Sequence, residues 1–87
     1  MVRVYYSDHF KKQVKKLTEK QQVKLARLVV LLKENPFSSQ LKTKPLTGKF
    51  IGIYSFRIER DFRALFKFLS QGKVLIFNIG HRKDIYR

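Results

Sequence analysis

Residues 53–79 read IYSFRIERDFRALFKFLSQGKVLIFNI, and this stretch decides the fold. Apolar side chains at Tyr54, Phe56 and Ile58 alternate with polar ones, and a period of two is typical of a strand with one buried face. Short segments that contain Asp, Ser and Gly interrupt the pattern, as tight turns between antiparallel strands do. Strands are therefore predicted over residues 53–59, 62–69 and 73–79.

The first of these turns leaves two registers open. A turn of two residues would place Arg63 on the face of Ile58, whereas a turn of three with a bulge would pair Glu59 with Arg63. Because a guanidinium is rarely buried, we favour the second register, which also brings Arg57 to the face of Arg63. We call this the open face of the sheet. It is predicted to present Ser55, Arg57, Arg63 and Lys67.

The N-terminal half of the chain predicts one strand and two helices. Residues 2–6 are β-branched and aromatic, as in a strand. Ser7 is a good N-cap, and apolar residues recur after it at helical spacing. Residues 18–21 match the capping box, so a second helix begins there and ends before Asn35-Pro36. The prediction is an α+β fold with the order β-α-α-β-β-β, in which a helical hairpin packs on the apolar face of a mainly antiparallel sheet.

Length and charge limit what the chain can be. Its 87 residues are predicted to form a single domain spanning 1–87. Twenty Lys and Arg against six Asp and Glu give a net charge of +14, which favours a phosphate backbone or an acidic protein as partner. There is no Cys, no signal-peptide pattern and no apolar run long enough to span a membrane, so a cytoplasmic protein without a membrane partner is expected.

Reactive groups are concentrated after the last predicted strand. Residues 80–87 read GHRKDIYR, and this tail can fold over the edge of the open face. With Arg57 and Arg63 it supplies cations, an imidazole and a phenol, which suit metal-free RNA cleavage by the ribose 2′-hydroxyl. Arginine fits phosphate oxygens, and histidine is the side chain that titrates nearest neutral pH. The two His are far apart and no acidic cluster is present, so neither a metal nor a cofactor is expected.

A simpler interpretation exists for each basic segment. A run of charges such as residues 80–87 is commonly a solvated tail. The loop over residues 37–50 contains Lys44 and Lys49 and no acid, so it either contacts phosphates or serves as an ordinary linker. Composition alone does not choose between these alternatives.

Two motifs resemble a known family. Residues 54–66, with the pair Phe62-Arg63, and the ending over residues 80–86 (GHRKDIY) resemble the RelE/ParE toxin superfamily. Residues 44–48 (KPLTG) and the order of the elements fit the same superfamily. The resemblance covers essentially the whole chain, and it implies the toxin of a type II toxin–antitoxin pair.

The RelE-like branch of this superfamily cuts mRNA in the ribosomal A site. In that branch, residues matching Arg63 and Arg82 hold the phosphate, a residue matching Tyr86 stacks on or assists at the substrate, and His81 stands where some members carry the acid. The catalytic residues implied are Arg63, His81, Arg82 and Tyr86. The residues predicted to bind substrate are Lys44, Lys49, Ser55, Arg57, Lys67 and Lys83. The general base is left open, because Ser55 stands where members can have a lysine.

Two other functions are compatible with the same fold. The ParE-like branch poisons DNA gyrase and lacks this catalytic set, and a third possibility is a basic RNA- or protein-binding module without activity. The presence of Arg63, His81, Arg82 and Tyr86 favours the nuclease. The partners implied are an acidic antitoxin, in a toxin–antitoxin hetero-oligomer, and the ribosome with its mRNA.

Overall fold

The chain folds around a five-stranded sheet, in a computed structural model that describes residues 1–86. Arg87, the last residue of the predicted tail, lies outside the described residues. The strands are β1 (Arg3–Tyr6), β2 (Lys44–Pro45), β3 (Ile53–Arg57), β4 (Phe62–Ser70) and β5 (Lys73–His81). The helices are α1 (Asp8–Val14), α2 (Glu19–Glu34) and α3 (Arg82–Ile85), and 3₁₀ turns lie at Ser39–Leu41 and Gly48–Phe50.

The strand order in the sheet is β1-β5-β4-β3-β2. β1 runs parallel to β5, whereas the other neighbouring pairs are antiparallel. The α+β class and the mainly antiparallel sheet are confirmed. Two elements were not predicted: β2, a strand of two residues inside the predicted loop, and α3, a single helical turn that follows β5 directly.

The helical hairpin covers the apolar face of the sheet, as predicted. Phe56 of β3 and Ile58, which follows the strand, are buried in one cluster with Leu28 and Leu32 of α2, and Tyr54 packs half-buried against it. Fully burying one such apolar side chain contributes roughly 1.5–3 kcal/mol. This cluster therefore supplies most of the apolar burial that holds α2 on the sheet.

The turn between β3 and β4 sets which side chains share the open face. Arg57 pairs with Arg63, and the Ile58 N–H donates to the Phe62 carbonyl at 2.9 Å, so the turn has three residues beginning at Glu59. The shared face of Arg57 and Arg63 is confirmed. The predicted pairing of Glu59 with Arg63 is wrong. The apolar Ile58 is buried and continues the ladder to its end, which leaves Glu59 in the turn.

Both predicted helix starts carry side-chain caps. Ser7 Oγ accepts the Phe10 N–H at 3.0 Å, and Thr18 and Gln21 exchange both hydrogen bonds of the capping box. The Gln21 amide also donates to the Glu59 carboxylate at 2.7 Å, which ties the start of α2 to the β3–β4 turn. Within residues 1–86, no helix has the length and apolar character needed to cross a membrane.

Candidate functional site

The terminal turn α3 lies over the open face of the sheet. Gly80 pairs with Arg63 on that face, and a Cβ at position 80 would lie 3.1 Å from Cγ2 of Ile85. Ile85 and Leu65 are both buried, although neither belongs to the helix-side cluster. The missing side chain of Gly80 therefore gives α3 the room to pack against β4 and β5. The tail folds over the sheet, as the sequence indicated.

Asp61 holds Arg82 through both its side chain and its backbone. Nε of Arg82 lies 3.2 Å from Oδ1 of Asp61, and the Arg82 N–H donates to the Asp61 carbonyl at 2.7 Å. An exposed ion pair contributes at most about 1 kcal/mol, so its main effect is orientation. The sequence assigned Asp61 only to a turn. The contact joins distant parts of the chain, so no local pattern in the sequence indicated it.

The guanidinium of Arg63 is fixed by the same turn. Its Nη1 donates to the Glu59 carbonyl at 3.0 Å and to the Arg60 carbonyl at 2.7 Å. A guanidinium has five N–H donors, so others stay available for a ligand. Because the half-buried side chain is already held in one place, binding an anion there requires little further ordering.

Three arginines meet at this position, and we call Arg57, Arg63 and Arg82 the arginine cluster. Burial lowers the pKa of the Arg63 guanidinium, and the charges of Arg57 and Arg82 lower it further, whereas Tyr86 and Asp61 act in the opposite direction. Arginine nevertheless stays protonated at neutral pH. An anion among the three cations would relieve their mutual repulsion, so the cluster favours an anionic ligand.

Arg57 carries a donor without an acceptor. Its Nε is buried and makes no hydrogen bond to any of the residues that the structure describes. A buried donor in this state costs about 1–3 kcal/mol, so such groups are uncommon in folded proteins. A ligand oxygen at this position would complete its bonding.

Tyr86 and His81 are placed differently with respect to the arginine cluster. Tyr86 is 36% exposed and acts on the charge of Arg63, which places it beside the cluster. His81 pairs with Phe62, whose side chain packs on the helix-side core, and paired residues project to the same side of a sheet. Its Nδ1 accepts the Lys83 N–H at 3.1 Å and so caps α3. The pairing thus directs His81 away from the open face.

The predicted substrate-binding residues are distributed unevenly. Ser55 is 3% exposed, in register with Lys44 on one side and Leu65 on the other, so the expectation that it is presented to solvent on the open face is wrong. Its strand, β3, lies between β2 and β4 in the sheet. The exposed residues of the set are Lys44, Lys49, Lys67 and Lys83. None of these lysines is among the charges in the described part of the chain that shift the pKa of Arg63.

This fold is shared with bacterial toxins of known structure. YafQ from E. coli strain BL21(DE3) matches with a TM-score of 0.80 at 24% identity, covering 100% of both chains. A YoeB/ParE toxin from Agrobacterium tumefaciens gives 0.79 at 18% identity, covering 92% of this chain and 98% of that one. The toxin–antitoxin complex RelBE2 from Mycobacterium tuberculosis gives 0.78 at 20% identity, with 93% and 98% covered. At these identities the likeness establishes the fold.

The family follows from the sequence. A family model described as the ParE toxin of the type II toxin–antitoxin system parDE matches residues 4–86. The chain therefore belongs to the ParE toxin family of type II toxin–antitoxin systems, and the resemblance to the RelE/ParE superfamily is confirmed. No curated protein matches the sequence.

Proposed function

We propose that this toxin is an endoribonuclease that cuts mRNA on the ribosome. The observation that carries the proposal is the arginine cluster, which gathers Arg57, Arg63 and Arg82 beside Tyr86 on the open face. Fold alone does not fix function, so the argument rests on this site. Several oriented guanidiniums around one point suit a phosphodiester that gains negative charge during cleavage.

The reaction needs no group from outside the RNA other than proton carriers. The ribose 2′-hydroxyl loses its proton and attacks the adjacent phosphorus, and the bond to the 5′-oxygen breaks as that oxygen takes up a proton. The products are a cyclic 2′,3′-phosphate and a 5′-hydroxyl. Arg63 and Arg82 stabilise the phosphorane charge, and Tyr86 stacks on a base or assists proton transfer. We assign His81 a positioning role, because its Nδ1 caps α3.

The ribosome is proposed to hold the mRNA strand in the conformation that cleavage requires. The open face can hold a phosphate, but a flexible strand must also be held with its 2′-hydroxyl in line with the leaving oxygen. We therefore expect slow, poorly selective cutting of naked RNA and fast cutting of mRNA on ribosomes. The test compares purified toxin with and without ribosomes, using an mRNA that carries a deoxyribose at the mapped cut. That substitution should block the cut, and cleavage that persists would exclude the 2′-hydroxyl as nucleophile.

A gyrase inhibitor is the second candidate function, and the family match favours it. The matching model is described by the ParE toxin rather than by an mRNA nuclease. In cells that express the toxin alone, mRNA integrity and chromosome breakage separate the two candidates. Gyrase-dependent double-strand breaks with intact mRNA would replace the nuclease proposal. Intact mRNA and intact DNA would leave a basic binding module.

The proposed partner is an acidic antitoxin that covers Arg63 and Arg82. The net charge of +14 calls for an acidic segment, and the RelBE2 relative was solved as a toxin–antitoxin complex. The affinity of this hetero-oligomer should fall as salt rises, which titration of the co-expressed antitoxin in a salt series measures. Salt-insensitive binding through α2 alone would contradict the assignment.

A further inference from the structure

A second basic surface adjoins the arginine cluster, between α2 and the end of β3. A cleft of about 450 Å³ opens there, and we call it the basic cleft. Its cationic lining residues are Lys24, Arg27, Lys42, Arg57 and Arg60. The ion pair described within residues 1–86, Arg82–Asp61, involves none of these five cations. The cleft therefore holds five cations and a single acid, Glu59.

The acid that lines the basic cleft, Glu59, is hydrogen-bonded to a residue of α2. Its carboxylate accepts a hydrogen bond from Gln21 Nε2 at 2.7 Å. Arg57, in contrast, has the buried Nε without an acceptor, and it also pairs with Arg63. Arg57 therefore belongs to both surfaces and makes the cleft continuous with the arginine cluster.

The backbone of Lys42 supports a binding role for the cleft. Lys42 has φ 54°, in the left-handed region that favours glycine, and it ends the 3₁₀ turn Ser39–Leu41. A glycine would close that turn with less strain. A lysine nevertheless occupies this position, and its side chain lines the cleft.

The lining of the cleft indicates which anion it fits. Its apolar lining residues, Leu28 and Ile58, are 2% and 1% exposed, so neither side chain offers a surface for the apolar anchor of a bound peptide. The apolar groove of the molecule lies elsewhere, beside α1, where Phe10 and Val30 line it. Three of the five cations in the cleft are arginines, whose forked donors match phosphate oxygens.

We propose that the basic cleft binds the phosphodiester backbone of single-stranded RNA, next to the phosphate held by the arginine cluster. The proposal rests on the proposed cleavage of RNA and adds a binding site to it. Each phosphate that a cation contacts should make binding weaker as salt rises, with a slope of log K against log salt of about −0.7 per contact on a single strand. Lys24, Arg27 and Lys42 should therefore account for a slope of about −2.

The test measures binding of a 2′-O-methyl oligoribonucleotide, which the 2′-hydroxyl mechanism cannot cut. The variant Lys24→Gln/Arg27→Gln/Lys42→Gln should lose at least about tenfold in affinity at low salt, and its salt slope should be shallower by about 2. The control Lys12→Gln/Lys15→Gln/Lys16→Gln removes the same charge from exposed residues outside the cleft. The slope should change by less than about 0.5 in this control. Equal changes in both variants would show diffuse attraction and overturn the proposal.

Two single variants keep the test independent of folding. Lys42→Gly should weaken RNA binding while the melting temperature stays the same or rises, because glycine accepts the left-handed backbone. Glu59→Gln should have the opposite effect on binding, since it removes the one acid of the lining. A Lys42→Gly protein with unchanged RNA affinity would contradict the assignment.

The outcomes separate this inference from the proposed function. If the toxin binds 2′-O-methyl RNA through the cleft but leaves mRNA intact, the proposed RNA site stands and the proposed nuclease activity is wrong. If the toxin cuts mRNA but the triple cleft variant binds RNA normally, the proposed nuclease activity stands and the proposed RNA site is wrong. If the triple variant weakens only the complex with antitoxin, the cleft binds an acidic peptide and the RNA assignment is wrong.

Discussion

The two faces of the sheet are held in different ways. On the helix side, Phe56 and Leu32 are completely buried in a continuous apolar cluster. On the open face, α3 is held by Ile85 against Gly80 and by the contact of Arg82 with Asp61. The first arrangement stabilises the fold, and the second orients charged groups around a smaller apolar contact made by Ile85. Substitutions on the helix side should therefore change stability, whereas those on the open face should change activity.

The largest effect is expected on the helix side. Phe56→Ala removes a completely buried aromatic side chain and should cost about 3–5 kcal/mol, a large part of the about 5–15 kcal/mol typical of a domain. Urea unfolding followed by circular dichroism measures the loss. The matched change on the open face, Tyr86→Ala, should stay within about 1 kcal/mol because the ring is already partly exposed. Equal losses would show that the open face also carries stability.

The same difference explains which parts of the fold could be predicted. The strands of the helix-side core could be predicted from the period-two pattern of residues 53–79. The starts of the two helices could be predicted from the caps at Ser7 and Thr18. Both signals depend only on local spacing in the sequence. β2 was missed because a two-residue strand that contains Pro45 has no period to detect. α3 was missed because a single turn held by tertiary contacts carries little local signal.

The sequence predicted which residue types form the site better than it predicted their pairing and burial. The sequence placed Arg57 and Arg63 on one face, but the predicted pairing was wrong by two residues, since Arg63 pairs with Arg57 and not with Glu59. The burial of Ser55 depends on strands that lie on both sides of it, one of them unpredicted. The link from Asp61 to Arg82 joins distant parts of the chain, and no spacing rule reports it.

The second expected effect is loss of cleavage on the open face. Arg82→Ala should lower ribosome-dependent cleavage by about 100-fold, the scale seen when one transition-state donor is removed. Arg63→Ala should lower it similarly and also cost about 1 kcal/mol of stability, since its bonds to the Glu59 and Arg60 carbonyls are lost. Single-turnover cleavage and urea unfolding measure the two effects. Arg3→Ala, an exposed cation on β1, is the control that should change neither. Normal cleavage by both Arg82→Ala and Arg63→Ala would contradict the assignment of these arginines to the phosphate.

A smaller effect should follow from moving α3 without removing any of its charges. Gly80→Ala places a methyl group 3.1 Å from Cγ2 of Ile85, so α3 must shift by a few tenths of an ångström. Because the proposed cleavage depends on the placement of Arg82, we expect about a tenfold loss in rate, with stability reduced by about 1–3 kcal/mol at most. The second change Ile85→Leu, which lacks the branch at Cβ, should restore part of the rate. If the double variant is no faster than Gly80→Ala, the contact does not control α3.

The smallest effect is expected at His81, and it separates positioning from proton transfer. His81 Nδ1 accepts the Lys83 N–H, and an asparagine can accept the same bond at a helix start. His81→Asn should therefore keep the cleavage rate within about threefold, whereas His81→Ala leaves the N–H without its acceptor and should weaken α3 by about 1 kcal/mol. A general acid would behave differently, because both variants would then lose about 100-fold or more and the pH dependence of the rate would change shape. The comparison of the two variants on ribosome-bound mRNA, across a pH series, decides between these roles. Equal large losses would bring His81 to the open face during catalysis and would show that α3 moves when RNA binds.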